Sequence, residues 1–277
     1  MRAAFLQMSS GDDPVANLAM TQAMVAQAAA GGADLILTPE VTNCLSGSRA
    51  RQEAVLHHQA DDPTLAALRQ QAKDTGKWLL IGSLALKTHD ADGRFANRSF
   101  LIGPDGAIAA QYDKIHMFDV DVSATETYRE SAGYRPGTRA VLGRMPQVTL
   151  GMTICYDIRF PHLHRALAKA GADILTVPAA FSPVTGKAHW EVLLRARAIE
   201  TGCFVLAPAQ CGSHPTSTDK TRQTYGHSMA INPWGEVLVD AGTEPCVTFI
   251  DLDLSEVAQA RGRIAALRHD REFDGPA

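Results

Sequence analysis

The sequence of 277 residues lacks several patterns that mark common classes of protein. It contains no apolar run near the roughly 18 residues that a membrane-spanning helix needs, and the apolar stretch at residues 1–8 is too short for a signal peptide. The formal net charge is −4, so no overall positive charge attracts nucleic acid or an anionic membrane. We therefore expect a protein that acts on neither nucleic acid nor membranes.

Cysteines are few and irregularly spaced. The five of them, at positions 44, 155, 203, 211 and 246, show neither CxxC nor metal-finger spacing. An odd number in a chain of this size indicates free thiols in a reducing compartment, and so predicts a cytoplasmic protein. The sequence also lacks H-E-x-x-H and both glycine-rich nucleotide-binding motifs, and HLH at 162–164 has no third ligand nearby. These absences argue against a metal hydrolase and against a nucleotide-binding protein.

Short apolar runs alternate with helical patterns along most of the chain. Asp13-Pro14 and Asp62-Pro63 each supply a capping residue and a proline at the first helical position. Runs such as DLILTP and WLLIGSLAL are typical of strands buried on both faces. Residues 113–146 are polar and rich in turns, which predicts a long loop of the functional or disordered kind. We expect one domain over residues 1–277, with residues 265–277 forming a C-terminal arm.

One internal repeat indicates how these elements are arranged. GADLILTPE at 32–40 and GADILTVPA at 171–179 match at Gly, Ala, Asp and Pro, and each follows an alanine-rich helix. Two such units predict two similar halves packed sheet against sheet, with helices outside, as an α-β-β-α sandwich of the α/β class. The first copy ends in Glu40 and the second in Ala179. Because the second copy forms its strand without a carboxylate, Glu40 is a candidate for chemistry.

Cys155 is the candidate nucleophile. It ends the predicted strand VTLGMTIC and precedes Tyr156, so its side chain and nearby backbone N–H groups would lie at a strand-to-helix turn. A free cysteine is more often a small buried hydrophobic residue, and we interpret the other four cysteines in that way. Lys114 in YDKIHMF and Glu130 in YRES are ordinary surface residues by type. Attack by the Cys155 thiol on a carbonyl carbon would create an oxyanion and would need a fixed ammonium group beside it. Lys114 could supply that group if Glu40 and Glu130 hold it in place.

Three motifs give the chain an end-to-end resemblance to the nitrilase (carbon–nitrogen hydrolase) superfamily: TPE at 38–40, YDKIHMFDVD at 112–121 and GMTICYDIRFP at 151–161. The resemblance implies that Glu40 is a general base, Lys114 the oxyanion partner and Cys155 the nucleophile. It implies Glu130 as a second, supporting glutamate. Members commonly pair through helices and C-terminal arms, which implies a homodimer or a larger homo-oligomer.

Two further stretches, TGKAHWEVLLRARAIETGCFVLAPAQCGSH and TYGHSMAINPWGEV, resemble the branch that contains deaminated glutathione amidases and the related omega-amidases. This implies hydrolysis of a small carboxylate-bearing primary amide to acid and ammonia through a thioester. The oxyanion would lie near Lys114 and the backbone N–H of Tyr156, and no metal or organic cofactor would be needed. Basic groups should bind the substrate carboxylates, and the sequence offers four candidates without assigning any: His116, Arg159, Arg195 and Arg197.

Several alternatives stay open at this point. A Cys-His hydrolase would pair Cys155 with His162 or His164, although both are more typical of surface or packing positions on a helix. An omega-amidase acting on α-ketoglutaramate and a true nitrilase are enzymes with the same residues. A non-catalytic binding protein of the same fold is the alternative from another class.

Overall fold

Sixteen strands and six α-helices occur in the part of the chain that the structure describes. The computed structural model describes residues 1–121, 127–218 and 221–276. The strands are β1 (Arg2–Gln7), β2 (Leu35–Leu37), β3 (Trp78–Leu86), β4 (Ala96–Ile102), β5 (Ile108–Asp113), β6 (Asp119–Asp121), β7 (Thr127–Arg129), β8 (Val141–Arg144), β9 (Thr149–Met152), β10 (Ile174–Thr176), β11 (Phe204–Ala207), β12 (Cys211–Ser213), β13 (Gln223–Tyr225), β14 (Met229–Ile231), β15 (Val237–Asp240) and β16 (Cys246–Asp251). The helices are α1 (Pro14–Ala30), α2 (Arg49–Val55), α3 (Pro63–Thr75), α4 (Pro161–Lys169), α5 (Pro183–Thr201) and α6 (Ser255–Arg263).

Two six-stranded mixed sheets form the centre of the fold. Their strand orders are β16-β1-β2-β3-β4-β5 and β15-β14-β11-β10-β9-β8. The repeated units occupy equivalent places, because β2 pairs in parallel with β1 and β3, and β10 pairs in parallel with β9 and β11. The repeat therefore marks an interior strand of each sheet, and the two sheets correspond to the two similar halves that the sequence predicts.

Alternating side chains explain why the first sheet is covered on both faces. In β1, Ala3 and Phe5 belong to a core shared with the second sheet, whereas Ala4 and Leu6 pack against α1 and α3. Successive residues of a strand point to opposite faces, so one strand serves both layers. The shared core continues through the second sheet to α4 and α5, where it includes Trp190. The architecture is the predicted α-β-β-α sandwich.

The helix starts follow the predicted capping chemistry. The side chain of Asp13 accepts a hydrogen bond from the backbone N–H of Val15 at the start of α1, and Asp62 accepts one from Leu65 at the start of α3. Such caps stabilise a helix by roughly 1 kcal/mol each. The α3 helix is followed by Gly76, whose φ of 64° is a conformation that glycine adopts without steric cost. Both helices lie where the sequence places them.

The segment 113–146 is more regular than predicted. It contains the β6–β7 hairpin, a short 3₁₀-helix at Glu130–Ala132, and β8 at the edge of the second sheet. Residues 122–126 of this segment lie outside the described residues. The sequence analysis also missed α2, a seven-residue helix that Ser48 caps through its side chain. The prediction of one long loop is therefore wrong at β6, β7 and β8.

The C-terminal segment contacts its own chain. Asp270 forms ion pairs with Arg165 and Lys169 of α4, the latter at 2.6 Å. The role of residues 265–277 as an arm toward a second copy stays a prediction. The single domain over residues 1–277 also stays a prediction. Ala277 lies outside the described residues. Within the described ranges no helix has the length and apolarity that crossing a membrane demands.

Candidate active site

The four predicted side chains meet in one cavity beside the carboxyl ends of β2, β5 and β9. Glu40 follows β2, Lys114 follows β5 and Cys155 follows β9, while Glu130 begins the short helix after β7. All four line a cavity of about 490 Å³. Ligands of open α/β sheets bind at this end of the strands. The structure thus brings together residues that lie up to 115 positions apart (155 minus 40) in the sequence.

Lys114 is the centre of a buried ionic cluster. Its side chain is 2% exposed, and Nζ lies 2.9 Å from Oε1 of Glu40 and 2.8 Å from Oε2 of Glu130. A buried charge needs paired carboxylates of this kind. Burial alone would lower the pKa of Lys114, but the charges of Glu130 and Glu40 outweigh it and raise the pKa well above its ordinary value. The ammonium group is therefore charged at neutral pH.

Glu40 accepts hydrogen bonds on both carboxylate oxygens. Oε1 accepts from Asn97 Nδ2 at 2.8 Å as well as from Lys114, and Oε2 accepts from the backbone N–H of Ala180 at 2.8 Å. Burial would raise the pKa of Glu40, but Lys114, the Cys155 thiol and Asn97 together lower it below its ordinary value. Glu40 is ionised at neutral pH and can therefore accept a proton.

The turn that carries Glu40 is held against β3. Gly82 donates its backbone N–H to Thr38 Oγ1 at 2.9 Å, and a Cβ on Gly82 would lie 2.0 Å from the carbonyl oxygen of Thr38. Only glycine permits this approach. Val41, immediately after Glu40, has a φ of 47° and donates its N–H to Ser83 Oγ at 2.8 Å. Such a φ is rare for a β-branched residue, and backbone strain of this kind clusters at functional sites.

Cys155 lies at the start of a 3₁₀-helix, Cys155–Arg159, and not at the end of a strand. The expectation that its strand reaches Cys155 is wrong by three residues, because β9 ends at Met152. Cys155 has a φ of 48°, and its own N–H donates to the carbonyl oxygen of Pro178 at 2.9 Å. Burial, and next the charge of Glu40, raise the pKa of the Cys155 thiol well above its ordinary value. The resting form is therefore a neutral thiol.

Asp157 joins the segment of Cys155 to the segment of Lys114, and the sequence analysis did not single it out. Its fully buried carboxylate accepts from Tyr112 Oη at 2.7 Å and the Ile154 N–H at 2.9 Å on one oxygen. The other oxygen accepts from the backbone N–H of His116 at 3.0 Å and contacts His116 Nδ1 at 2.7 Å. Tyr112 and His116 each lie two residues from Lys114. Asp157 therefore fixes Lys114 relative to Cys155.

Besides Lys114, the basic side chains that line the cavity are not the four that the sequence offered. Arg49, Arg129 and Arg222 line it instead. The earlier candidates have other contacts: Arg195 and Arg197 pair with glutamates on α5, His116 contacts Asp157, and Arg159 lies over the rings of Tyr156 and Phe181. None of these four side chains lines the cavity.

The histidine and metal alternatives find no support in the cavity. His164 is buried on α4, where Nδ1 contacts the carbonyl oxygen of Phe160 at 3.1 Å, and neither it nor His162 lines the cavity. No group of three or more His, Cys, Asp or Glu side chains that could hold a metal ion occurs in the parts of the chain that the structure covers. All five cysteines are free, and Cys44 also lines the cavity.

Comparison with known proteins shows which family the chain resembles. A family model described as carbon-nitrogen hydrolase matches residues 2–262. A deaminated glutathione amidase from Yersinia enterocolitica is 38% identical over 269 residues, covering 97% of this chain and 92% of the relative. The omega-amidase NIT2 of Homo sapiens is 34% identical over 271 residues, covering 98% and 95%. The crystal structure of the C. elegans NitFhit protein matches with a TM-score of 0.88 and 34% identity, over 98% of this chain and 65% of that longer chain.

Proposed function

This chain belongs to the carbon–nitrogen hydrolase family and is an amidase, and we propose that it hydrolyses deaminated glutathione through a thioester on Cys155. The observation that carries the proposal is the position of the Glu40 carboxylate, which contacts Lys114 Nζ at 2.9 Å and lines the same cavity as Cys155. The 38% identity to a deaminated glutathione amidase supports the choice of substrate.

The first half of the reaction forms the thioester. Glu40 takes the proton of the Cys155 thiol, because the thiolate is the effective nucleophile. The sulfur attacks the amide carbon, and the carbonyl electron pair moves onto oxygen. Lys114 and the backbone N–H of Tyr156 stabilise that oxyanion. Glu40 then gives its proton to the amide nitrogen as the carbon–nitrogen bond breaks, and the amine leaves.

The second half releases the acid. Glu40 takes a proton from water, and the oxygen attacks the thioester carbon at the same oxyanion site. The carbon–sulfur bond breaks, and the sulfur regains its proton from Glu40. Glu130 keeps Lys114 charged while Glu40 is neutral, since its two oxygens lie 2.9 Å and 2.8 Å from Lys114 Nζ. The proposed roles require no group outside this chain.

The identity of the leaving amine separates the two candidate substrates. The scissile nitrogen of deaminated glutathione belongs to its cysteine, so the amine released is cysteinylglycine. α-Ketoglutaramate is a primary amide and releases ammonia, which is the product expected from the sequence. Both substrates yield α-ketoglutarate. The 34% identity to omega-amidase NIT2 makes α-ketoglutaramate the second candidate.

The test measures α-ketoglutarate formation from each substrate at equal concentration. We expect faster turnover of deaminated glutathione, and faster turnover of α-ketoglutaramate would identify an omega-amidase instead. Turnover of neither would refute both substrates, and acid formation from a nitrile without amide hydrolysis would indicate a nitrilase.

A cysteine variant tests the proposed chemistry separately from the substrate. Cys155→Ala should fold normally and lose essentially all turnover, because the nucleophile is gone. Mass spectrometry of quenched wild-type enzyme should detect an acyl adduct on Cys155. Cys44→Ala is the matched control, since Cys44 is a second buried thiol lining the same cavity. Retained turnover in Cys155→Ala would rule out the thioester.

We further propose a cytoplasmic homodimer or larger homo-oligomer. Five free cysteines support a reducing compartment. Large apolar side chains that are exposed on α5 and on the turn before β15 support self-association: Val192, Ile199 and Trp234. Sedimentation velocity across a range of protein concentrations tests the assembly, and a single monomeric species would contradict it.

A further inference from the structure

The charged cluster in the active-site cavity is unfavourable for the carboxylate of an anionic substrate. Glu40 and Glu130 oppose the single ammonium of Lys114, so the cluster carries one net negative charge. A substrate carboxylate brought beside this cluster is repelled unless a cation faces it. The cavity must supply that cation from the rest of its lining.

Two of the three arginines that line the cavity already contact carboxylates. Arg49 Nε lies 2.8 Å from Oε1 of Glu53, and its guanidinium carbon lies 3.8 Å from the ring centroid of Phe95. Arg129 Nη2 lies 2.7 Å from Oδ1 of Asp121. Their charges are balanced by these neighbours on the protein itself.

Arg222 differs from both. Across residues 1–121, 127–218 and 221–276 no carboxylate lies within ion-pair distance of its guanidinium group. Its Nη2 donates to the carbonyl oxygen of Ala180 at 3.1 Å, and its guanidinium carbon lies 5.6 Å from the ring centroid of Tyr128. These contacts hold the side chain, which is half-buried, without neutralising its charge.

Ala180 connects Arg222 to the catalytic cluster. The N–H of Ala180 donates to Oε2 of Glu40, and its carbonyl oxygen accepts from Arg222. A single residue therefore separates the carboxylate that we propose as the base from the unbalanced cation. The planar guanidinium group presents paired donors that match a carboxylate, which a lysine in the same place does not.

We propose that Arg222 binds the carboxylate of the substrate's acyl portion and so makes this amidase selective for anionic amides. The inference rests on the proposed function, because it requires a substrate that bears a carboxylate beyond the amide. Arg222 contributes little to the bond-breaking steps, since it contacts none of the three residues assigned to them. Its loss should therefore act on selectivity more than on chemistry.

The experiment compares two primary amides with the same five-carbon chain: 4-carbamoylbutanoate, which ends in a carboxylate, and pentanamide, which ends in a methyl group. Arg222→Gln should lower kcat/KM for 4-carbamoylbutanoate by about 10- to 100-fold, mainly through KM, as expected for a lost charge-assisted hydrogen bond. The same variant should change kcat/KM for pentanamide by less than about threefold. Arg222→Lys should retain an intermediate selectivity, because it keeps the charge and loses the paired donors.

Arg129→Gln is the matched control, because it removes a cavity-lining arginine that already has a carboxylate partner. It should leave the ratio of the two kcat/KM values unchanged. An equal loss on both substrates in Arg222→Gln would overturn the inference and assign Arg222 to the support of Ala180. Wild-type enzyme that hydrolyses neither amide, nor deaminated glutathione, nor α-ketoglutaramate would refute the proposed function itself. Wild-type turnover with unchanged selectivity in Arg222→Gln would refute the role of Arg222 alone.

Discussion

The change of Asp157 to asparagine removes a buried charge that receives four contacts. Tyr112 Oη and the Ile154 N–H donate to one carboxylate oxygen, and the backbone N–H and Nδ1 of His116 contact the other. An asparagine keeps one oxygen and replaces the other with an NH₂ group, which is itself a donor. Whichever way the amide is oriented, a backbone N–H of Ile154 or His116 then faces a donor.

The expected loss of stability follows from the number of hydrogen bonds that an asparagine at this position cannot form. If the oxygen faces His116, the NH₂ group opposes both the Ile154 N–H and the Tyr112 hydroxyl, although the hydroxyl can rotate to accept. At least one buried N–H loses its acceptor, and the remaining bonds lose the charge that strengthens them. Hydrogen bonds to charged groups contribute about 1.5–3 kcal/mol each, so we expect a loss of roughly 2–5 kcal/mol in the free energy of unfolding. For a chain of this length that lowers Tm by roughly 5 °C or more.

Thermal unfolding and steady-state kinetics measure the two consequences of this change. Asp157→Asn should also lower kcat, because Asp157 holds the segments of Cys155 and Lys114 together. Asp92→Asn is the control, because Asp92 is exposed. Among the described residues, its carboxylate forms hydrogen bonds and an ion pair with Arg94 alone. It should leave both Tm and kcat unchanged. A Tm for Asp157→Asn equal to that of the wild type would refute the reasoning.

Two further predictions concern protonation. Glu40→Gln should lower kcat/KM by about 10²- to 10⁴-fold, the usual contribution of a general base, while circular dichroism remains that of the wild type; a loss below tenfold would contradict the role of Glu40. Burial lowers the pKa of His164 and of His214 from 6.5 to about 4, so between these values the unfolded chain binds protons that the folded chain does not. The free energy of unfolding should therefore fall by about 2 kcal/mol for each histidine between pH 7 and pH 5. Urea denaturation at the two pH values checks this, and a flat profile would mean that neither histidine is held neutral.

The fold could be predicted where one local pattern determines both the element and its partner. The two copies ending at Glu40 and Ala179 are buried strands because apolar residues fill them, and their repetition predicts the pairing of two halves. The edge strand β8 and the helix α2 were missed because their sequences, VLGR and RARQEAV, carry too few apolar residues to show a period. Their positions depend on tertiary contacts, and local propensity does not report these.

The candidate site also contains residues that the sequence predicts and residues that only the folded structure reveals. Glu40, Lys114 and Cys155 follow strands, and motif resemblance found them. Asn97 contacts Glu40 from 57 residues away, and Asp157 contacts Tyr112 from 45 residues away, so only the folded arrangement brings these pairs together. The same is true of Arg222, because nothing in its local sequence indicates which wall of the cavity it lines.

The pairing of β1 with β16 has a consequence for how the chain is made. These strands form one ladder of six residue pairs, yet the N-terminal amine of Met1 and the carbonyl of Leu252 that close its end are 251 positions apart. A ribosome that adds about 5–20 residues per second needs roughly 10–50 s to supply the second strand after the first has emerged. Throughout that time one edge of β1 has no partner, and unpaired strand edges are templates for aggregation. A nascent chain that stalls before residue 246 should therefore depend on chaperones to a degree that the finished protein does not.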